Sequence, residues 1–360
     1  MKKFLALALS LVMMLGLAIP AMAADNDAYV FWYTFGDVYL SSVRDALDVA
    51  LTAKNLTPVN QDANAAQQTQ TDQINTALVS GAKAMIVNMC DSGSIGVAQN
   101  IVSAVQAQGL PLVFFNRALS TNNDEAAELV KSYDKCVFVG TNFEDAGIMQ
   151  GKMIGQYVLD NYDALDLNKD GVISYVMFKG DEANQEAIAR TKYGVECADE
   201  VLTAAGKPAL KFYDESNTNK YLVDMNGTWS NTASFDYMST ILSMYNEANN
   251  NMVELVIANN DDMALGAVNA LTNAGYNTGN EGDKVIPVFG VDATDAAKEL
   301  IAAGRMVGTI KQDAEGMADA VATIAANLVE GKGAFDGLNE NYGVTDGWMV
   351  TIPYSVYTGE

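Results

Sequence analysis

The sequence predicts an α/β fold built as two similar lobes, each a parallel sheet flanked by helices, joined by short hinges. Three observations carry that reading. Short β-rich runs alternate with longer helical patterns along most of the chain, the signature of βαβ units. The rhythm restarts at Phe143 with no low-complexity linker before it. The roughly 337 residues left after an N-terminal leader exceed the ~250–300 at which a single core stops growing.

In the first block, 28–33 reads as a strand and 39–54 as a helix with apolar spacing at Leu40, Val43, Leu47 and Leu51. A polar-faced helix at 67–80 follows, then a strand at 84–89 and a helix at 95–108 closed by Gly109. Strands at 112–115 and 136–139 complete the block. The second block opens with a helix from Phe143 to about residue 161. Strands at 173–178, 209–213, 255–258 and 286–290 then alternate with helices at 186–205, 232–246 and 263–274. A last strand at 307–310 and a long helix at 314–328 end the pattern. The segments 140–142 and 310–313 read as hinges. Open α/β sheets bind ligands beyond the carboxyl ends of their strands, so two facing lobes make a cleft.

The N-terminus predicts export. Lys2 and Lys3 form a basic start, 5–19 is almost wholly apolar, and Ala21-Met22-Ala23 gives a cleavage signature after Pro20. The apolar run is short for a membrane anchor. No cysteine stands near the cleavage point to carry a lipid, so the expectation is a periplasmic or secreted protein. Without Lys2 and Lys3, 19 basic residues face 45 acidic ones, a net charge of −26. Nucleic acid and anionic membranes should repel such a chain. Histidine is absent, which excludes His-based triads, His zinc sites and a histidine pH switch. Cys90, Cys136 and Cys197 cannot form a closed disulfide set; the expectation is three buried thiols, with one bridge plus one free thiol as the alternative.

Residues 166–174 place side-chain oxygens at loop positions 1, 3, 5 and 9 (Asp166, Asn168, Asp170, Ser174), with Gly171 at position 6. Position 7, Val172, would offer its carbonyl. A Ca²⁺ ion takes six to eight oxygens, and this is the spacing of an EF-hand loop. The pattern breaks at position 12, where Met177 replaces the bidentate Glu, and the β-branched run from Val172 reads as a strand. Either the site is defective or a distant carboxylate completes it; an ordinary Asp/Asn/Gly turn is the alternative.

Several strand ends share one chemistry. Asn116-Arg117, Asn259-Asn260-Asp261 and Asp292 follow apolar runs, and the first strand leads into Asp37 and Tyr39. A sugar hydroxyl donates once and accepts twice, so planar amides, carboxylates and a guanidinium suit a polyhydroxylated ligand. Tyr39 and Trp229 offer faces for apolar sugar C–H surfaces. Any one of these Asp or Asn residues could instead be a helix cap.

With these motifs in view, the chain resembles the periplasmic sugar-binding proteins of ABC transporters, of the ribose/galactose type. The matching motifs are Val113-Phe114-Phe115-Asn116, Asp166 to Gly171, Val256 to Asp261, Pro287 to Ala293 and Ile352-Pro353-Tyr354. The resemblance implies a type I periplasmic binding protein fold. Its lobes would be 24–140 with 313–351, and 141–312 with 352–360, after a signal peptide at 1–23. It places Asp37, Asn116, Arg190, Asn260 and Asp292 on sugar hydroxyls and sets Trp229 and Tyr39 about the ring. It implies Glu254 as the missing carboxylate of a Ca²⁺ site. Asn184, Glu186 and Gln312 stand where galactose-binding members carry His, Asp and Asn, which leaves the sugar open between glucose or galactose and a pentose such as xylose, arabinose or ribose. The implied partners are a monosaccharide and an ABC permease, with a chemoreceptor as an optional third, for a monomer that binds no nucleic acid. Two other classes compete. A secreted glycosidase would use paired carboxylates such as Asp37 and Asp292. A sugar-responsive transcription regulator would need a basic N-terminal helix-turn-helix, where this chain has its leader.

Overall fold

The computed structural model describes residues 26–359. The predicted leader lies outside them. Two sheets organise the chain. The first runs in the order β12-β13-β5-β4-β3-β1-β2 and the second β14-β11-β10-β9-β6-β7, with β8 also on β6. In the first sheet, β1 is Asp27–Trp32, β2 Thr57–Asp62, β3 Ala84–Val87, β4 Leu112–Phe115 and β5 Cys136–Gly140. They are joined by α1 (Val38–Ala53), α2 (Gln67–Ser80), α3 (Ile95–Ala107) and α4 (Asn123–Lys131). The second lobe follows with α5 (Phe143–Leu165), β6 (Ser174–Lys179), α6 (Gln185–Ala204), β7 (Lys211–Phe212), β8 (Leu222–Val223) and α7 (Asn231–Met244). Then come β9 (Leu255–Ala258), α8 (Asp261–Asn273), β10 (Val288–Asp292), α9 (Asp295–Ala302) and β11 (Gly308–Lys311). The chain ends with α10 (Ala314–Val329), β12 (Gly343–Thr345), β13 (Met349–Thr351) and β14 (Ser355–Tyr357). Every pairing is parallel except β12 with β13 and β11 with β14.

The period of two along each strand divides the core. Val30 and Trp32 of β1, with Val113 and Phe115 of β4, pack under α1 and α10. Phe31 and Phe114 point to the opposite layer, with Ile74, Val102 and Leu129 of α2, α3 and α4. In the second sheet, Val176 and Phe178 meet α7 and α8, while Tyr175 and Met177 meet α5 and α6. Both faces of both sheets are covered, so the strands read as continuous apolar runs. Helix α5 lies close on α6 because Gly151 faces it: an added Cβ would stand 2.4 Å from the Tyr193 carbonyl.

The chain passes between the sheets three times. Residues 141–142 lead from β5 to α5, 312–313 from β11 to α10, and 352–354 from β13 to β14. The third passage was not read as a hinge, although the lobe bounds implied by the resemblance place a crossing after residue 351. Sequence reading also missed β2, β8, α4, α9 and the last three strands. β2 carries Pro58, Asn60, Gln61 and Asp62, and it is an edge strand with no fully buried residue, so it lacks the apolar run that marks its neighbours. β12 and β14 are edge strands of three residues. The cysteine expectation needs correction: all three are free thiols, and Cys136 and Cys197 are buried, but Cys90 is half-buried.

Candidate functional site

Twelve side chains from both lobes line one narrow space of about 40 Å³. All ten residues singled out from sequence are among them: Asp37, Tyr39, Asn116, Asn184, Glu186, Arg190, Trp229, Asn260, Asp292 and Gln312. Tyr33 is the one that sequence reasoning left out, and Arg117 was read at its strand end but not placed on the sugar. Both sit where the strand-end rule points: Tyr33 directly follows β1, and Arg117 directly follows Asn116 after β4.

Cap and cleft turn out to be the same residues. Asp37, Asn184 and Asn260 are the N-caps of α1, α6 and α8. Their side-chain oxygens accept from Leu40 N at 2.8 Å, Ala187 N at 3.0 Å and Met263 N at 3.0 Å. One oxygen fixes the side chain against its helix, and the other polar atom is left to face the cleft. In Asp37 that second oxygen accepts from Tyr33 OH at 3.0 Å. In Asn184 the amide nitrogen donates to Ser92 Oγ at 3.1 Å, across the two lobes. Three further residues reach the site through unusual backbone. Asn116, Trp229 and Asp292 have φ of 63°, 58° and 125°, a region that L-residues avoid and that gathers at functional positions. The Trp229 ring lies over Gly180, where an added Cβ would come within 2.0 Å of it.

Arg190 is the hub. Its Nη1 donates to the Asn259 carbonyl at 2.9 Å, and its Nη2 donates to Gln312 Oε1 at 2.9 Å and Tyr354 OH at 3.2 Å. Asp292 Oδ1 stands 4.0 Å from Nη1, and the guanidinium carbon lies 5.6 Å from the Trp229 ring centroid. Arg190 Nε, Tyr39 OH and Glu186 Oε2 are buried without a protein partner. Burial pushes the Asp292 carboxyl well above the usual carboxylate range, opposed by Arg190 and reinforced by Asp261 and Asp37. Glu186 is raised for the same first reason. Behind Asp292, the wholly buried Asp261 accepts from Thr309 Oγ1 at 2.7 Å and Thr294 N at 2.7 Å, and burial raises it to about 7. Unpaired donors and acceptors in a buried cleft are what a hydroxyl-rich ligand would satisfy.

The lobes are drawn together. Arg117 of the first pairs with Asp181 of the second at 3.2 Å, beside the Asn184–Ser92 bond. A space of about 40 Å³ takes a few waters. A sugar ring enters only as the lobes part.

The 166–174 loop is a separate device. Gly171 takes φ of 83° at the loop's tight turn. Asp166 Oδ2 accepts from Gly171 N at 3.1 Å, Asn168 Oδ1 from Asp170 N at 3.0 Å, and Asp170 Oδ1 from Val172 N at 2.9 Å. Glu254 reaches the loop from the position just before β9. Its Oε1 accepts from Leu167 N at 2.7 Å and Asn168 N at 3.3 Å, and its Oε2 from Ser174 N at 2.9 Å. Ser174 Oγ sits 2.9 Å from the Met252 carbonyl and 3.1 Å from Glu254 Oε2, so its hydrogen points at other acceptors rather than leaving the oxygen to a cation alone. Among the described residues no three Asp, Glu or Cys side chains converge closely enough to hold a metal ion. Against that, Asp166 Oδ1 is buried with no partner, and the donors are all oxygens, the set a hard cation takes.

Two α/β lobes with ligand-facing side chains at the strand ends of both define a two-lobed binding protein. The chain belongs to the family described as periplasmic binding protein domain, which it matches over residues 28–333. It is 33% identical over 324 residues to the D-galactose/methyl-galactoside binding periplasmic protein MglB of Haemophilus influenzae, covering 90% of this chain and 87% of that one. It is 28% identical over 335 residues to a putative rhizopine-binding protein of Rhizobium meliloti, covering 92% of each. An ABC transporter solute binding protein from Bacillus halodurans with bound myo-inositol superposes with a TM-score of 0.68 at 21% identity, covering 94% of this chain and 96% of that one. One from Clostridium phytofermentans with bound β-D-glucose gives 0.69 at 17% identity, covering 93% and 94%. These structures share the fold. No helix among the described residues is long and apolar enough to cross a membrane.

Proposed function

We propose that this chain is the sugar-binding component of an ABC transporter. It captures a monosaccharide between its lobes and presents the closed form to a membrane permease. The observation that carries this is the interlobe space lined by amides, carboxylates, guanidiniums and aromatic rings from both lobes. A ligand touching both lobes favours the closed state because its contacts with the two together exist only there. Arg190 Nε and Glu186 Oε2 are the unpaired atoms that hydroxyls would complete. The chain is not an enzyme: its family and curated relatives are binding proteins. That sets the glycosidase reading aside, although Asp37 and Asp292 share the cleft.

The sugar we favour is glucose or galactose, on the relative of highest identity quoted above. A pentose is the second reading, favoured by Asn184, Glu186 and Gln312, which stand on the wall where galactose-binding members carry His, Asp and Asn. Titration calorimetry against glucose, galactose, xylose, ribose and arabinose tests both, and no binding to any of them would refute the sugar reading. Small-angle scattering should show a smaller radius of gyration with the bound sugar; identical profiles at saturation would remove the hinge model. The family's location supports a periplasmic site of action, and a chemoreceptor would read the same closed form.

We also propose that the 166–174 loop binds Ca²⁺ through Asp166, Asn168, Asp170, the Val172 carbonyl, Ser174 and Glu254. The ion would add charge neutralisation and cross-linking of loop to strand. The orphaned Asp166 Oδ1 supports this. Glu254 can keep its backbone bonds, since a carboxylate has about four acceptor positions. Isothermal titration of the chelator-treated protein with Ca²⁺ tests it, and absence of heat together with an unchanged melting curve would refute it.

A further inference from the structure

A second hollow, of about 770 Å³, opens beside the cleft between α4, the β12–β13 hairpin and the start of α5. It has the size of a ligand pocket, ~300–1,000 Å³, where the inner cleft is far smaller. The two spaces share one residue: Glu186 lines both. Its side chain is 7% exposed, and its Oε2 has no hydrogen-bond partner. The floor is aromatic. Phe138 and Trp348 stack there with centroids 6.3 Å apart and planes 20° from parallel. Partly exposed Phe143 stands on the wall at the start of α5. Asp145 is on the same wall, with Oδ1 accepting from Asn142 Nδ2 at 2.8 Å. Aromatic faces beside acceptors suit the apolar C–H surface and the hydroxyls of a sugar ring.

We propose that this hollow is a second sugar subsite, so that the ligand class extends to disaccharides. One ring occupies the inner cleft, and a second, joined to it past Glu186, lies over the aromatic floor. This rests on the sugar reading of the inner cleft. A hydroxyl of the second ring would donate to Glu186 Oε2, which no protein group reaches.

The test is calorimetry on the whole protein with glucose, galactose and xylose beside maltose, cellobiose, lactose and melibiose. At least one disaccharide should bind within about tenfold of the best monosaccharide, or more tightly. Phe143→Ala, which removes a wall, and Ala127→Trp, which fills the hollow from α4, should each weaken that disaccharide by about tenfold or more while leaving the monosaccharide within about twofold. Circular dichroism confirms that both variants fold. If a monosaccharide binds and every disaccharide is at least about a hundredfold weaker, the second subsite is overturned and the inner cleft stands. Disaccharide binding that both variants leave unchanged, or weaken only as much as monosaccharide binding, overturns it too, because the second ring then lies elsewhere. If no sugar of either kind binds, the reading of the inner cleft fails first and this one with it.

Discussion

The interlobe cleft and the 166–174 loop use the same side chains to opposite effect. Both are rich in Asp and Asn. In the loop, three such residues within five positions bond mostly to backbone N–H groups two to five residues away, and the tip is exposed. In the cleft, residues from seven separate segments meet in a buried space, and several of their atoms have no partner. The loop satisfies most of its polar atoms locally, Asp166 Oδ1 excepted, and takes one outside carboxylate, Glu254, to dock on the sheet. The cleft cannot satisfy itself without a ligand. Unpaired polar atoms cost more as they are more buried, so the larger functional dependence belongs to the cleft.

That contrast breaks most directly at Asp292. Asp292→Asn should weaken the best sugar by at least about a hundredfold, since it removes a buried acceptor facing Arg190. The same protein should melt with an unchanged response to chelator. Sugar affinity within a few-fold of wild type would mean that the cleft does not depend on this carboxylate. Trp229→Ala should cost about 2–4 kcal/mol of binding, as for other buried aromatic anchors. An unchanged dissociation constant would take Trp229 out of the site.

On the loop side, chelation should lower the melting temperature and change sugar affinity only modestly. A metal held by the folded state alone adds about 2.7 kcal/mol at a hundred times its Kd. Glu254→Gln needs more care than a melting curve. It loses the backbone bonds of one carboxylate oxygen, either those from Leu167 and Asn168 or that from Ser174, whether or not metal binds, at about 1–3 kcal/mol for buried groups left unpaired. Loss of the chelator response is therefore the diagnostic readout. A variant that still shifts with calcium as wild type does would show that Glu254 is not a ligand.

A smaller effect sharpens the cleft's side. Gly180→Ala drives a Cβ into the Trp229 ring, so the ring must move, and sugar affinity should fall by about tenfold with little change in fold. Equal affinity would mean that the ring's seat is unimportant. The smallest effect is the pH dependence of the sugar-free protein. Glu186, Asp261 and Asp292 all have carboxyls raised by burial. A raised folded-state value contributes stability that is full below the ordinary carboxylate range and is lost as pH rises through the folded value, about 7 for Asp261. The melting temperature should therefore be lower at about pH 8 than at about pH 5, and Asp261→Asn should flatten part of that slope. A curve that rises over this interval would contradict the burial of these groups.

The alternation of apolar runs and amphipathic stretches was enough to give the α/β class and most helix positions. Helix α2 and strands β4 and β9 have the bounds read from sequence, because their signals are local: period, capping and apolar length. The edge strands β2, β12 and β14 were not legible, since their pairing comes from a neighbouring strand rather than from their own composition. The gathering of ten named residues in one space rested on the strand-end rule and on motif resemblance together. Neither could say that Asp37, Asn184 and Asn260 act as caps at the same time as they face the cleft. Nor could they show that Asn184 ties the lobes through Ser92, or that Tyr33 joins the wall. The sequence by itself determined the residue types and their order along the strands. Only the tertiary structure decided which atoms are left unpaired, because that depends on contacts between segments up to about three hundred residues apart, which no local pattern encodes.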